Sequence, residues 1–441
     1  MADRFLSLPY LFLRSSTAGG ALLFGLIQTF VFARVLSPER FSVFILIGTL
    51  GITLWLVDFG LTRILFVRQR EAFLAGRKDP VIAGQSMAVL IAYAAAVLAG
   101  TLVCTAFMAL RGGTPFLHAI EFGLFFLFTS LNLVWFVVRF VSIATDQFVF
   151  FESHEATRRV GHIALMLAML IGLPFMAFLI LANLLWAAMF ASALKRLFAH
   201  GVMAFPQDGI VNNIRTFFRG NRREAFRSAS FAAGEFYIYN LPYLVVPLAY
   251  GLGAPTIILD TTFKIFRGST IVYAAGCDVA VPKQTRALAA GDRQGLIRAT
   301  LMAAALCCLP ALTVGALLYF ASGWFFAFLL GPAATMPAAL TPVLIVLLVA
   351  NLAQTVSNSL LLHTGFFRQL AFIAAGTALA MTVMTGIAVL MPLDITGYMA
   401  GYAAVFVVSV LFSITMMIRG PIAAAGTEPL RYEENGRNGG I

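Results

Sequence analysis

The chain has 441 residues, of which 61% are hydrophobic and only 11% charged, with a formal net charge of +11. A water-soluble domain is about 25% charged because its surface must be solvated. A soluble enzyme is therefore excluded, and a polytopic helical membrane protein is expected. The positive charge does not point to nucleic acid, because Lys and Arg are spread over connecting segments rather than gathered on one face.

Apolar runs bounded by charge, Pro or Gly predict spans near 14–36, 41–66, 81–110, 120–143, 160–173 and 175–194. A second set follows near 228–252, 254–281, 296–320, 337–362, 366–391 and 396–418. The stretch 160–194 reads as two short spans, with a turn at Gly172-Leu173-Pro174. An eleven-span count throws the basic cluster 195–227 outside, against the positive-inside rule. Twelve spans instead put most Lys and Arg, including Arg158 and Arg159, on the side of both termini, which is read as cytoplasmic. The amino terminus does not read as a cleavable signal, since its apolar run is long and more spans follow.

The expected fold is all-α: about twelve transmembrane helices in two six-helix lobes with a central cleft. Residues 1–194 form the N-terminal lobe and 228–419 the C-terminal lobe. Between them, 195–227 is a cytoplasmic basic amphipathic linker. Its "IVNNIRTFFRGNRREAFRS" mixes apolar and basic residues at helical spacing, the pattern of a helix held on an anionic lipid surface. The tail 420–441 is polar, Gly-rich and expected to be disordered. An internal repeat supports the division: "RQREAFLAG" from Arg68 and "KQTRALAAG" from Lys283 occupy equivalent places in the two halves. Six spans per half is an even number, so the halves share one orientation, and the substrate cleft is expected between them.

Ionisable residues inside spans are costly and are functional candidates. The eighth span carries Asp260, Lys264, Arg267 and Asp278, which fall within about 40° of one helix face. Two readings stand: a salt-bridge ladder with Asp260–Lys264 as an i,i+4 pair, or a wall that contacts an anion. Arg139, in the fourth span, is either a cleft residue or a snorkelling arginine. Arg14 and Arg63 sit at cytoplasmic helix ends, as topology charges or as cleft residues. Glu235, in the seventh span, is a functional candidate or the partner of a nearby cation such as Arg267. Arg34 and Arg40 are expected to cap the outer ends of the first two helices. Neither the five histidines nor Cys104, Cys277, Cys307 and Cys308 show metal or disulfide spacing, so no metal and no cofactor are expected.

Two further motif sets carry a family resemblance. Residues Leu22–Arg63 hold Ala33-Arg34, the turn "LSPERF" and Asp58-Phe59-Gly60, an Asp-x-Gly that closes the second helix. The stretch "VPKQTRALAAGDRQGLIR" begins at Val281, and "LLGPAATMPAALTPVLIVLLVANLAQTVSNSLLLHTG" leads into and through the tenth span. In these features the chain resembles bacterial polysaccharide flippases, the oligosaccharidyl-lipid branch of the multidrug/oligosaccharidyl-lipid/polysaccharide exporter superfamily. It departs from many relatives in having Pro242-Tyr243 where they carry Asp-Arg. The resemblance implies a cationic central cavity lined by arginines of the first, second and eighth helices, which maps onto Arg14, Arg63 and Arg267. It also implies, from related drug exporters, a cation-coupling acid on the seventh helix, which maps onto Glu235.

An ATPase would need a phosphate loop, and the chain has no Gly-Lys pair. The short outer loops argue against a membrane glycosyltransferase or polysaccharide polymerase, and no repeated filter marks a channel. A non-enzymatic secondary transporter in the bacterial inner membrane remains. The resemblance selects a flippase that moves a polyprenyl-diphosphate-linked oligosaccharide to the outer leaflet, for exopolysaccharide, capsule or O-antigen synthesis. Its partners are then the lipid-linked oligosaccharide, membrane lipids and the polysaccharide polymerase machinery. The alternative is a cation-coupled multidrug exporter of the same superfamily.

Overall fold

A computed structural model describes residues 8–425, apart from 59, 111–114, 365 and 392. Among the described residues every regular element is helical. Twelve helices are long: α1 (Leu8–Val35), α2 (Pro38–Thr53), α4 (Pro80–Leu110), α5 (Phe116–Ala144), α6 (Phe148–Met169), α7 (Phe175–Ala199), α9 (Arg222–Tyr250), α10 (Ala254–Ala289), α11 (Arg293–Leu330), α12 (Leu340–His363), α13 (Phe367–Leu390) and α14 (Ile395–Met417). Two are short, α3 (Leu61–Leu74) and α8 (Ile210–Gly220). Nine of the long helices are apolar enough to cross a membrane among the described residues. The other three, α6, α9 and α10, carry four, five and six charged residues, more than any of the nine. The protein is an all-α, multi-pass membrane protein of about twelve helices.

Two element boundaries differ from the sequence reading. The second apolar run is not one helix. It ends in a tighter turn at Leu54–Asp58, and α3 starts afresh after Gly60. Asp58 makes the break: its carboxylate accepts from Gly60 N–H at 3.1 Å, Thr62 N–H at 3.1 Å and the Thr62 and Tyr93 hydroxyls at 2.7 Å each. Those bonds satisfy orphan donors of the new helix. The fifth long helix, α6, begins at Phe148, well before the apolar run at 160. Arg158 and Arg159 therefore lie within a helix rather than in a loop, for a reason that the charge cluster below supplies.

The chain divides into two compact units. One comprises Met1–Lys264 with Phe326–Met336, the other Ile265–Phe325 with Pro337–Ile441. The divisions fall inside α10 and just after Ala321 of α11, whose φ of −134° and ψ of 18° interrupt that helix. In the first unit Phe32 of α1 meets the rings of Phe41, Phe44, Phe125, Phe175 and Phe178. Close helix approach there depends on small residues: a Cβ on Gly51 of α2 would lie 2.3 Å from Thr129 Oγ1 of α5. In the second unit Tyr273, Cys277 and Ala280 of α10 pack on Ala303 and Cys307 of α11 and on Val356 of α12. Fully buried Asn351 of α12 donates to Phe266 O at 3.0 Å and Ser269 Oγ at 2.8 Å on α10.

The two repeat segments end in the same turn. Gly76 and Gly291 sit at φ +66° and +68°. Arg77 N–H donates to Ala72 O at 2.9 Å, and Asp292 N–H to Ala287 O at 2.9 Å. Gly76 N–H and Gly291 N–H reach Phe73 O and Leu288 O. This double closure satisfies the last carbonyls of a helix and requires a left-handed residue, which glycine adopts without a Cβ clash. Gln69 and Gln284, the matched glutamines, are both buried. Open space surrounds Gly76, so Gly76→Ala is expected to cost about 1–2 kcal/mol, the price of a non-glycine residue in this backbone region. Thermal unfolding in detergent checks this. Gly315→Ala, at an open helical site without positive φ, is expected to show no loss.

Candidate charge-paired site on α10

The strongest ionic arrangement at the predicted site is built from α1, α9 and α10. On α10 the i,i+4 spacing brings Lys264 Nζ to 2.7 Å from Asp260 Oδ2, with the side chains 18% and 8% exposed. Of the two sequence readings for this stripe, the Asp260–Lys264 pair forms. Lys264 Nζ also donates to Thr29 Oγ1 of α1 at 3.1 Å, and its stem lies across Gly25 one turn earlier on α1. On the other side, Tyr243 of α9 donates its hydroxyl to Asp260 Oδ1 at 3.1 Å and sets its ring 5.6 Å from Phe263. Tyr243 supplies a neutral donor here. The carboxylate thus has an ammonium on one oxygen and a phenol on the other. A buried ion needs such partners, because unpaired it costs several kcal/mol.

The remaining predicted residues distribute along the helices. Arg267 is half-buried one turn beyond Lys264, and Asp278 is exposed farther along α10. Arg139 is half-buried on α5 and Glu235 half-buried on α9. The side chains of Arg14 and Arg63 lie outside the described residues. At the C-terminal end of α1, Arg34 donates to Phe30 O at 2.8 Å and to Phe328 O at 2.5 Å, and so caps its own helix and α11 together. Arg40 pairs with Glu121 of α5.

A second cluster escaped sequence analysis. Arg158 Nη2 lies 2.6 Å from Glu155 Oε1, and Arg159 Nε reaches the same oxygen at 2.6 Å. Trp135 Nε1 of α5 donates to Glu155 Oε2 at 2.9 Å. Arg159 also donates to Thr17 O of α1 at 3.1 Å, while the Thr17 hydroxyl donates to Glu152 at 2.6 Å. The Arg158 guanidinium stacks 4.1 Å over Trp186 of α7. Two carboxylates and two guanidiniums make the group formally neutral, which lets α6 bury them and explains why it begins so early. The signal was present as "ESHEATRR", with its i,i+3 and i,i+4 spacings, but the positive-inside rule assigned both arginines to a loop.

Comparison with known proteins comes from structure alone. No known family profile matches the chain, and no curated protein matches it. Solved structures do. An inward-facing multidrug resistance MATE family transporter of the MOP superfamily superposes with a TM-score of 0.67 at 14% identity, over 95% of this chain and 99% of that one. The eukaryotic MATE transporter AtDTX14 gives 0.64 at 13% identity, over 95% and 96%. A MOP superfamily transporter from Pyrococcus furiosus, described as having a binding pocket of reverse polarity, gives 0.60 at 12% identity, over 96% of each chain. The chain therefore has the fold of MATE transporters. The narrower flippase assignment draws no support from these neighbours.

Removing one member of a buried ionic group leaves the others uncompensated. Glu155→Ala is therefore expected to cost about 3–5 kcal/mol, read as a large drop in the detergent unfolding midpoint. Thr216→Ala, on an exposed position of α8, is expected to leave that midpoint unchanged.

Proposed function

We propose that the chain is a secondary transporter rather than an enzyme, that both its termini face the cytoplasm of a bacterial cell, and that the Asp260–Lys264 pair is its exchange point. The observation that carries this reading is the pairing itself, a carboxylate and an ammonium 2.7 Å apart within a membrane helix. Such a pair is a neutral resting state. Either member is released at low cost only when a charge of its own sign takes its place. A cation can replace Lys264 at Asp260, and an anionic group can replace Asp260 at Lys264. Thr29, already bonded to Lys264, holds the displaced ammonium in the first case.

The cationic exchange is the first reading. The fold neighbours named as multidrug resistance transporters favour it. So does the deeper burial of Asp260, with Tyr243 donating to its free side. An organic cation and a coupling cation then alternate at this carboxylate. Expelling one positive charge against an interior-negative potential costs about 2.3 kcal/mol per 100 mV, so inward movement of a second cation must drive it. Glu235 and Asp278 are further acids for that ion.

Lipid-linked oligosaccharide export is the second reading. It is supported by the motifs around Ala33-Arg34 and Val281, and its candidate cations are Lys264, Arg267, Arg139, Arg14 and Arg63. Two negative charges leave an interior-negative cell with a gain of about 4–5 kcal/mol per 100 mV, so no coupling ion is required. The Pyrococcus furiosus neighbour is described as of reverse pocket polarity, so this fold is not tied to one polarity of pocket.

Reconstituted vesicles separate the two. In the first reading a fluorescent organic cation is exported under a proton or sodium gradient. Asp260→Asn then lowers the rate by about 100-fold, the worth of a charge-assisted partner of about 3 kcal/mol, while Lys264→Gln retains transport. In the second reading a fluorescent polyprenyl-diphosphate sugar changes leaflet, and the joint change Lys264→Gln with Arg267→Gln abolishes this while Asp260→Asn does not. Folded protein that moves neither cargo overturns the proposal.

A further inference from the structure

The short helix α8 has two sides of different character. On one, Asn213 and Phe217 are buried. Asn213 lies beside Gly84 of α4, and the Arg68 guanidinium of α3 sits 5.7 Å above the Phe217 ring. The sequence pattern anticipates an amphipathic helix whose apolar side lies on lipid, but Phe217 faces protein. What remains for the surroundings is the opposite side. At 100° per residue, Val211, Arg215, Phe218 and Arg219 fall within about 100° of one another there. Val211 is 79% exposed and Phe218 38%, and both arginines are exposed. Between residues 200 and 222 the only acid is Asp208, exposed and ahead of the helix.

We propose that this side of α8 is a docking surface for anionic phospholipid headgroups of the cytoplasmic leaflet, and that the docking fixes the inner end of α9. An exposed arginine pair at i,i+4 takes a phosphate between its guanidiniums. Val211 and Phe218, on the same side, need an apolar boundary next to that phosphate. A lipid interface offers both at once, whereas an acidic soluble partner or a free phosphate offers only the charge. The link to α9 is a single residue. Asn221 is the C-cap of α8 and the N-cap of α9, it is buried, its Oδ1 accepts from Arg68 at 2.7 Å, and its Nδ2 donates to Phe217 O at 2.6 Å. Farther along, α9 presents Tyr243 to Asp260. Lipid held on α8 therefore anchors the helix that completes the charge pair. The proposal rests on the cytoplasmic placement of this segment and not on which cargo is carried.

The test reads contact rather than transport. Full-length Phe218→Trp protein is placed in vesicles of brominated phosphatidylcholine, with and without brominated phosphatidylglycerol. Bromine quenching is expected to rise when phosphatidylglycerol is present and to weaken as salt is raised. Adding Arg215→Gln and Arg219→Gln is expected to lower the preference by about 25-fold, at about 5-fold per arginine. Native mass spectrometry of the unmodified chain and of the Arg215→Gln, Arg219→Gln variant gives an independent count of retained phosphatidylglycerol. Equal quenching in both vesicles overturns the proposal. So does a preference that survives loss of both arginines, or displacement of the lipid by inorganic phosphate.

Discussion

Charge placed inside a membrane helix has to be matched within reach of its own side chain, and two of the three most charged long helices, α6 and α10, are organised by that requirement. On α6 and α10 the match is made first within the helix. Glu155 finds Arg158 and Arg159, and Asp260 finds Lys264. These pairs form as soon as the helix does, since residues three and four apart share a face. Neighbouring helices then contribute neutral donors and acceptors: Trp135 and Thr17 around Glu155 and Arg159, Tyr243 and Thr29 around Asp260 and Lys264. Each donor ties the charged helix to a specific partner, so the remedy for burial also fixes packing.

Much of the architecture was legible in the sequence, and the reason differs by element. Long apolar runs located the helices, because apolar composition over about 20 residues is what a bilayer requires. The Asp260–Lys264 pair was readable from spacing alone. The α6 cluster was misplaced because a rule about loops was applied to arginines whose partner, Glu155, lies inside the same helix. Hydropathy alone runs 41–66 together, whereas the Asp58-Phe59-Gly60 motif marks the break, and the Asp58 carboxylate starts a new helix there. Thr29 and Tyr243 were beyond reach of any local pattern. They lie 235 and 17 residues from their partners, and only the fold brings them to the pair.

The division of labour between fold and site follows from the comparisons. Chains with 12–14% identity superpose over nearly their full length, so the helix arrangement tolerates almost any apolar surface of the right dimensions. In this chain the neutral Pro242-Tyr243 step and the Asp260–Lys264 pair give the α10 site a local character that neither an all-acid nor an all-base lining would have.

The two prolines within α9, Pro242 and Pro247, bear on that character in another way. Each lacks an N–H, so the carbonyls of Ile238 and Tyr243 one turn earlier lose their regular helical donor. A helix with two rungs missing on consecutive turns is a jointed rod rather than a stiff one. Its softest part carries the residue that touches Asp260. The missing rungs lower the cost of bending at the point where the phenol meets the carboxylate. Mechanical compliance and charge recognition are thus written into the same six residues.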